Sequence, residues 1–255
     1  TGPRGIVHLV FANTRPRAGG SRYHGASHLL SEDSGLSWRQ FGGGLLSLPV
    51  AVTDLVLMEG PDTPDDRIEP PDYEEAHAAP GPLNYNYLQM LLSNPVVDDE
   101  GSPWVIVHNG LTGGASLYRG TEAGWSGVPL LDAVHRVYPG WRIHQQSTLA
   151  RHADGTVDVV LMVAPRDAPG WGPDETELVR LWISPEGEIR SVEPVRAPDP
   201  RAARWLPSLE RWSWRHPLNR PALLYTSGHN AGGFDQNVNA LSTEVWLHLP
   251  AVRDS

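Results

Sequence analysis

Residues 31–38 read Ser-Glu-Asp-Ser-Gly-Leu-Ser-Trp, and this stretch decides the fold class. In tight turns, Ser and Asp side chains form hydrogen bonds with nearby backbone groups, and Gly adopts a positive φ without steric strain. The Trp that ends the stretch is suited to packing between sheets, because it has a large apolar surface. The stretch therefore predicts a turn that joins two β-strands.

Similar polar turns recur at residues 98–101, 154–155 and 185–187, and each ends in Gly. The four turn glycines are at positions 35, 101, 155 and 187, so their successive spacings are 66, 54 and 32 residues. A spacing near fifty residues is typical of four-stranded propeller blades, whereas the strands of a sandwich turn every eight to twelve residues or so. The shortest spacing indicates two strand pairs within one blade.

Short apolar runs lie between these turns, and no long amphipathic helix is visible. Their content of Val, Ile, Leu, Trp and Tyr is typical of half-buried strands. We therefore expect an all-β propeller of four-stranded blades, with about four to five blades in residues 1–255. Such a chain is either one propeller domain or a fragment of a larger propeller. The strand-like runs are residues 6–11, 51–58, 104–107, 157–163, 178–183, 222–225 and 245–249.

An acidic, proline-rich segment at residues 59–76 interrupts this pattern. It contains eight Asp and Glu residues and few apolar ones. Such a composition does not bury a strand, so it predicts an exposed loop insertion.

Composition excludes several kinds of protein. The 255 residues carry a formal net charge of −10, contain no Cys, and have Arg as their only strongly basic residue. A disulfide scaffold, thiolate chemistry and Cys-ligated metals are therefore excluded. No basic patch is visible, which argues against nucleic acid as a partner, and no apolar run is long enough for a membrane span. Because a strand follows Thr1 almost at once, we expect a longer parent chain or a removed leader.

Residues 31–38 match the Asp-box pattern S-x-D-x-G-x-[TS]-W at every defined position. They resemble the Asp-box (BNR) repeat of sialidases and related β-propellers. That resemblance gives a structural role, not a catalytic one, to Ser31, Asp33, Gly35 and Trp38.

A wider resemblance covers residues 5–226 and is to the BNR-repeat-containing family related to propeller polysaccharide lyases. A strand at residues 5–11 is followed by Arg15, by His24 and then by the Asp-box, although Tyr23 and Gly25 replace the usual neighbours of the His. Three later stretches also resemble the family. They are residues 97–104, the pair Tyr118-Arg119, and residues 203–208, where Leu206 stands at a usually acidic position.

The resemblance implies an extracellular or periplasmic enzyme that cleaves a carboxylate-bearing polysaccharide by β-elimination. In that reaction a cation neutralises the substrate carboxylate, a base removes the adjacent proton, and an acid protonates the leaving oxygen. By the resemblance, His24 is the base or the partner of the base, Tyr118 is the proton donor and Arg119 is the carboxylate clamp, and His108 is the best second His. The expected substrate-binding residues are Arg15, Arg119, Asn109, Arg142 and Trp141.

Two other functions stay open at this point. A sialidase-like hydrolase needs an Arg cluster, which Arg15, Arg119 and Arg142 could supply, and a Tyr–Glu pair that the sequence does not place. A non-catalytic propeller would bind glycans or protein instead. No cofactor is expected. A metal site formed by His24 and His28 is not favoured, because the two residues are too far apart on a strand to bind one ion. Structural Ca²⁺ in the acidic loop stays open.

Overall fold

The structure is a computed structural model that describes residues 5–17, 20–51, 54–59, 90–109, 113–168, 175–199, 201–210, 221–229 and 242–249. For residues 14–17 and 20–24 the description covers the backbone. The all-β prediction is confirmed, since strands dominate these residues. None of the helices among them has the length and apolar character needed to cross a membrane.

The chain divides into two compact units, Thr1–Pro129 and Leu130–Ser255. The first unit contains a three-stranded sheet in the order β1-β2-β3 and a five-stranded sheet in the order β4-β6-β7-β8, with β5 paired to β6. The strands are β1 Val7–Arg17, β2 Gly20–Ser31, β3 Leu57–Glu59, β4 Met90–Leu92, β5 Val96–Val97, β6 Pro103–Asn109, β7 Gly114–Thr121 and β8 Gly124–Pro129.

The second unit contains a four-stranded sheet in the order β12-β11-β10-β9 and a three-stranded sheet in the order β13-β14-β15. A short helix, α1 (Leu131–His135), precedes them. The strands are β9 Trp141–Arg151, β10 Val157–Pro165, β11 Glu177–Ile183, β12 Ile189–Pro194, β13 Ala203–Leu209, β14 Leu223–His229 and β15 Ser242–His248.

In each sheet, all the strands are antiparallel and come from one continuous stretch of chain. This up-and-down connectivity is typical of propeller blades. The coarser prediction of antiparallel sheets built from successive strands is confirmed, and the closed propeller stays a prediction.

The four polar turns predicted from the sequence are confirmed. Each has its Gly in the left-handed region, with φ of 93° at Gly35, 90° at Gly101, 85° at Gly155 and 92° at Gly187. A residue with a Cβ is strained there, which explains why Gly recurs at this point of each turn. Three of the turns join β5 to β6, β9 to β10 and β11 to β12, and the first follows β2.

Hydrogen bonds among its own residues hold the first turn. The Ser31 hydroxyl donates to Asp33 Oδ1 over 2.8 Å and accepts from the Gly35 amide over 2.8 Å. The Asp33 carboxylate accepts from the Ser37 amide and hydroxyl, at 2.9 and 2.6 Å. These bonds lower the pKa of Asp33 to about 2, because they favour its ionised form. Trp38 Nε1 donates to the Gly35 carbonyl over 3.1 Å.

The strand predicted at residues 51–58 is wrong for most of the residues of this run that the structure describes, since among them only Leu57 and Met58 belong to a strand, Leu57–Glu59. The Val56 amide donates to the Gln40 side chain over 2.9 Å, and the Val56 side chain is 72% exposed. A backbone amide that pairs with a side chain is not available to a strand ladder. The predicted loop at 59–76 lies outside the described residues, apart from Glu59 at the end of β3.

Each unit has an apolar cluster between its two sheets. In the first unit, Ala26 and Met58 pack with Val105 and Val107. In the second, residues of β9, β10 and β11 pack with residues of β13 and β14, among them Val160, Met162, Leu178, Leu223 and Tyr225. The sheets are therefore held face to face within each unit by hydrophobic burial.

Candidate functional site

The β6–β7 pair separates the predicted residues of the first unit into two groups. His108 pairs with Ala115 and Asn109 with Gly114, at the end of β6. Tyr118 pairs with Val105 and Arg119 with Trp104, near the start of β6. Tyr118 lies three positions after Ala115 along β7, which is a distance of about 10 Å. His108 and Tyr118 therefore do not meet on this sheet.

The Arg119 guanidinium lies beside two carboxylates of the protein. Its Nη2 is 2.9 Å from Asp98 Oδ2 and 2.8 Å from Glu100 Oε2, and its central carbon lies 5.1 Å from the Trp104 ring centre. Asp98 is buried, with 5% exposure. A substrate carboxylate would have to displace two acids, so this geometry favours a structural role for Arg119 over the predicted clamp.

Asp98 also organises the turn that leads into β6. Its Oδ1 accepts from the amides of Glu100 and Ser102, at 3.1 and 2.8 Å. Its Oδ2 accepts from Trp104 Nε1 over 3.2 Å. One buried carboxylate thus joins the turn, a buried Trp and Arg119.

Tyr118 packs beside the apolar cluster of the first unit. Its ring also covers Gly127 on β8, because a Cβ added at Gly127 would lie 2.7 Å from the Tyr118 ring. The ring is half-buried among apolar groups. These contacts account for a large aromatic residue at this position without any catalytic role.

His108 is buried with 4% exposure. Burial lowers its pKa to about 3, because the charged imidazolium is poorly solvated inside the sheet. A general base works best with a pKa near the operating pH, so this environment does not suit His108 to the predicted catalytic role. Asn109, at the end of β6, is less buried.

His24 occupies an irregular position in the β1–β2 ladder. Asn13 pairs with Gly25 and Thr14 pairs with Tyr23, so His24 is the extra residue of a β-bulge. Bulges change the direction of a side chain and are frequent next to active sites. Beside the bulge, buried Asn13 donates through Nδ2 to Ser27 Oγ over 2.7 Å. The backbone therefore places His24, to which the resemblance gives a catalytic role, at an irregular point of the strand pair.

Arg15 lies two residues beyond this bulge and pairs with Arg22. Residues 5–31, which form the β1–β2 hairpin, contain three Arg and three His but no Asp or Glu, although the chain has a net charge of −10. The hairpin is thus cationic in an acidic protein. Sequence reasoning missed Arg22, and the long stretch without acids was the signal that could have found it.

A partly buried aromatic cluster in the first unit, with His28 at its centre, was also missed. His8 Nδ1 lies 3.0 Å from His28 Nε2, and the His28 ring stacks on Phe41 and meets the edge of Trp125. Burial lowers the pKa of His28 to about 3, with smaller contributions from His8 and Arg39. Both rings are therefore neutral near pH 7, and one ring donates the hydrogen bond to the other.

In the second unit, the predicted residues Trp141 and Arg142 begin β9. The Trp141 ring lies 4.5 Å from the Tyr138 ring, between centres. Arg142 Nη2 donates to the Ala168 carbonyl over 2.9 Å, and burial lowers the Arg142 pKa. Both residues therefore contact groups of the second unit.

The second unit also brings Tyr138 near an ion pair of Glu177 and Arg204. This is the kind of Tyr–Glu–Arg grouping that the sequence could not place. Burial, with the Glu177 charge, raises the pKa of Tyr138 to about 12. All three side chains are more than nine-tenths buried, so the grouping belongs to the core of the unit.

Among the described residues, no three His, Asp or Glu side chains are grouped so that they could hold a metal ion. No known family model matches the sequence, and no curated protein matches it at a significant level.

Proposed function

We propose that this chain is a carbohydrate-active β-propeller, or part of one, that cleaves a carboxylate-bearing polysaccharide at the β1–β2 hairpin by β-elimination. The observation that carries the proposal is the cationic hairpin, in which the β-bulge at His24 lies close to Arg15. The four antiparallel sheets and the Asp-box turn support the propeller. A stretch of 27 residues without an acid is an unusual feature in a chain with a net charge of −10.

The proposed reaction assigns one role to each residue. Arg15 pairs with the carboxylate of a uronate and lowers the pKa of the proton on the adjacent carbon, because charge that develops on the carboxylate is neutralised. His24, as a neutral imidazole, removes that proton. A carbon–carbon double bond forms as the bond from the next carbon to the glycosidic oxygen breaks.

The leaving oxygen then needs a proton. The imidazolium formed on His24 holds one, so the same residue can return it to the oxygen and regain its neutral form. The products are an unsaturated uronate at one new end and an ordinary sugar at the other. The resemblance names Tyr118 as the proton donor, but the packing of Tyr118 beside the apolar cluster of the first unit leads us to propose His24 for this role.

The test uses purified protein and a panel of polyuronates. Ultraviolet absorbance of the unsaturated product and newly formed reducing ends are followed together. We expect both signals to rise, and we expect His24→Gln to abolish both while leaving the folded protein intact. His248→Gln, on β15 in the second unit, is the matched control and should retain turnover.

Two outcomes would overturn the elimination, and a third would overturn the role of His24. Reducing ends without absorbance would show hydrolysis and support the sialidase-like alternative. Binding without either signal would support a non-catalytic glycan-binding propeller. Equal turnover by His24→Gln and the unmodified protein would remove His24 from the mechanism.

A further inference from the structure

We propose that strand β15 is an interaction surface through which two copies of this chain associate edge to edge into one continuous antiparallel sheet. β15 covers Ser242–His248 and is the last strand of the three-stranded sheet in the second unit. The association does not depend on the reaction proposed above, because that reaction is assigned to the β1–β2 hairpin of the first unit.

One edge of β15 is open in the part of the chain that the structure describes. β14 pairs with β15 along one edge, and no described strand pairs with the other edge. Every residue of β15 except the last is exposed. An open edge presents unpaired backbone N–H and C=O groups, and these groups can bind a strand of another chain.

The face of β15 that points away from the core is apolar. Tyr225 of β14 is 2% exposed, belongs to the apolar cluster of the unit and pairs with Trp246, so this pair lies on the core face. Side chains alternate between faces along a strand, which puts Val245 and Leu247 on the opposite face. They are 70% and 58% exposed, and Leu224, which pairs with Leu247, is 45% exposed. Apolar side chains of two neighbouring strands are therefore open to water, which is typical of a contact surface.

β15 also lacks the features that protect the other edges of the described sheets. β3 and β4 are three residues long, and β8 contains two Gly and ends in Pro. The ladders that contain the edge strands β1, β9, β12 and β13 each have a shift in register. By contrast, β14 and β15 pair over seven positions without a shift, and β15 contains no Lys or Pro. Short strands, irregular registers and Pro hinder pairing at an edge, so β15 is the described edge best suited to bind another strand.

The sequence of β15 fits a second copy of itself. Opposite residues of an antiparallel pair share a face, so in a two-fold symmetric pair one residue opposes its own counterpart. When Trp246 is that residue, Val245 opposes Leu247 of the second copy, and the apolar side chains meet. In the same register, Glu244 opposes His248 of the second copy, whose imidazole N–H can donate to the carboxylate. A register centred on Val245 would instead place the Glu244 carboxylate opposite the Trp246 ring, so the register centred on Trp246 is favoured.

The experiment measures the mass of the protein in solution by sedimentation equilibrium. One added strand pair is a small interface, so the dimer should be reversible and should form between about 1 μM and about 1 mM. Val245→Lys is the main variant, because a Lys on an edge strand opposes pairing. Leu45→Lys is the matched control, since Leu45 is an apolar residue of the first unit that is 75% exposed. Circular dichroism and thermal unfolding check the fold of each variant.

We expect the unmodified protein and Leu45→Lys to dimerise equally. Val245→Lys should weaken the dimer by at least about tenfold, because the apolar contact is lost twice in a symmetric pair. Glu244→Arg should also weaken it, because an Arg then lies opposite His248 of the second copy. The double variant Glu244→Arg with His248→Glu should restore the dimer, because the two partners are exchanged and not removed. If Val245→Lys does not fold, the comparison of these last two variants decides the question.

Introduced thiols test the register directly, because the chain contains no Cys. Under oxidising conditions, Val245→Cys combined with Leu247→Cys should form disulfides between two chains, and Val245→Cys alone should not. A protein that stays monomeric at every concentration would overturn the proposal, and so would a dimer that Val245→Lys leaves unchanged. Faster cross-linking of Val245→Cys alone than of the double variant would overturn the register centred on Trp246.

Discussion

Replacing Asp98 by alanine should destabilise the first unit strongly, because one buried carboxylate satisfies four donors. Two of these are the turn amides of Glu100 and Ser102, and the others are Trp104 Nε1 and Arg119 Nη2. The alanine side chain has no acceptor atom for any of these four hydrogen bonds. Water can replace the carboxylate only where the donors are accessible.

The magnitude follows from the exposure of each donor. Trp104 is 3% exposed, and a buried N–H without an acceptor costs about 1–3 kcal/mol. The two turn amides each lose a hydrogen bond worth about 0.5–1 kcal/mol, since the turn is partly open to water. Arg119 keeps Glu100, so its loss adds at most about 1 kcal/mol. The sum is about 2–6 kcal/mol, and its midpoint should lower the Tm by about 10 °C.

The assay is urea unfolding followed by Trp fluorescence and circular dichroism. Asp33→Ala is the matched control, because Asp33 holds a similar turn by hydrogen bonds but is exposed. Asp98→Asn removes only one of the two acceptor oxygens. Its amide keeps one oxygen, and its NH2 group then faces either Trp104 or the turn amides, which are themselves donors. We expect Asp98→Ala to be most destabilising and Asp33→Ala least. Equal losses from Asp98→Ala and Asp33→Ala would refute the reasoning from burial.

Two further predictions concern buried and strained residues. His28 and His108 have folded-state pKa values near 3, whereas an unfolded His has its pKa near 6.5. The unfolded state therefore binds more protons in this window, and each His should reduce the free energy of unfolding by up to about 1.4 kcal/mol per pH unit as pH falls. His108→Leu should flatten the dependence measured by urea unfolding between pH 6 and pH 4, and an unchanged slope would contradict the burial argument. Leu206 has φ of 53° and is 43% exposed, so Leu206→Asn should relieve about 1 kcal/mol of backbone strain and raise the Tm by about 2–4 °C. A lower Tm for Leu206→Asn would show that the leucine contributes more through packing than it loses through strain.

The turns were predictable because their determinants are local. Each turn needs a polar residue, a Gly at positive φ and a few neighbours within the same short stretch. The edge strand β12 was indicated by the turn at residues 185–187 and not by an apolar run, because Arg190, Ser191 and Glu193 break any such run. Edge strands can be polar on both faces, since one side of the ladder is open to water.

The candidate site was predictable only in part. The backbone puts His24 at a bulge, which agrees with the attention that the resemblance gives to this residue. The engagement of Arg119 by Asp98 depends on strand pairing across 21 residues of chain, which no short motif encodes. The pairing of Arg15 with Arg22 in the backbone ladder depends in the same way on where the ladder shifts its register.

The connectivity of the sheets has a consequence for synthesis on the ribosome. Residues 7–59, 90–129, 141–194 and 203–248 each contain all the strands of one sheet. Pairing partners are therefore close in the chain, with the widest separation between Ser31 of β2 and Leu57 of β3, and such local pairing favours rapid folding. Each sheet can complete its hydrogen bonding as soon as its last strand emerges, before the following sheet is translated. During translation, few strands therefore remain unpaired because their partner strand has not yet been synthesised.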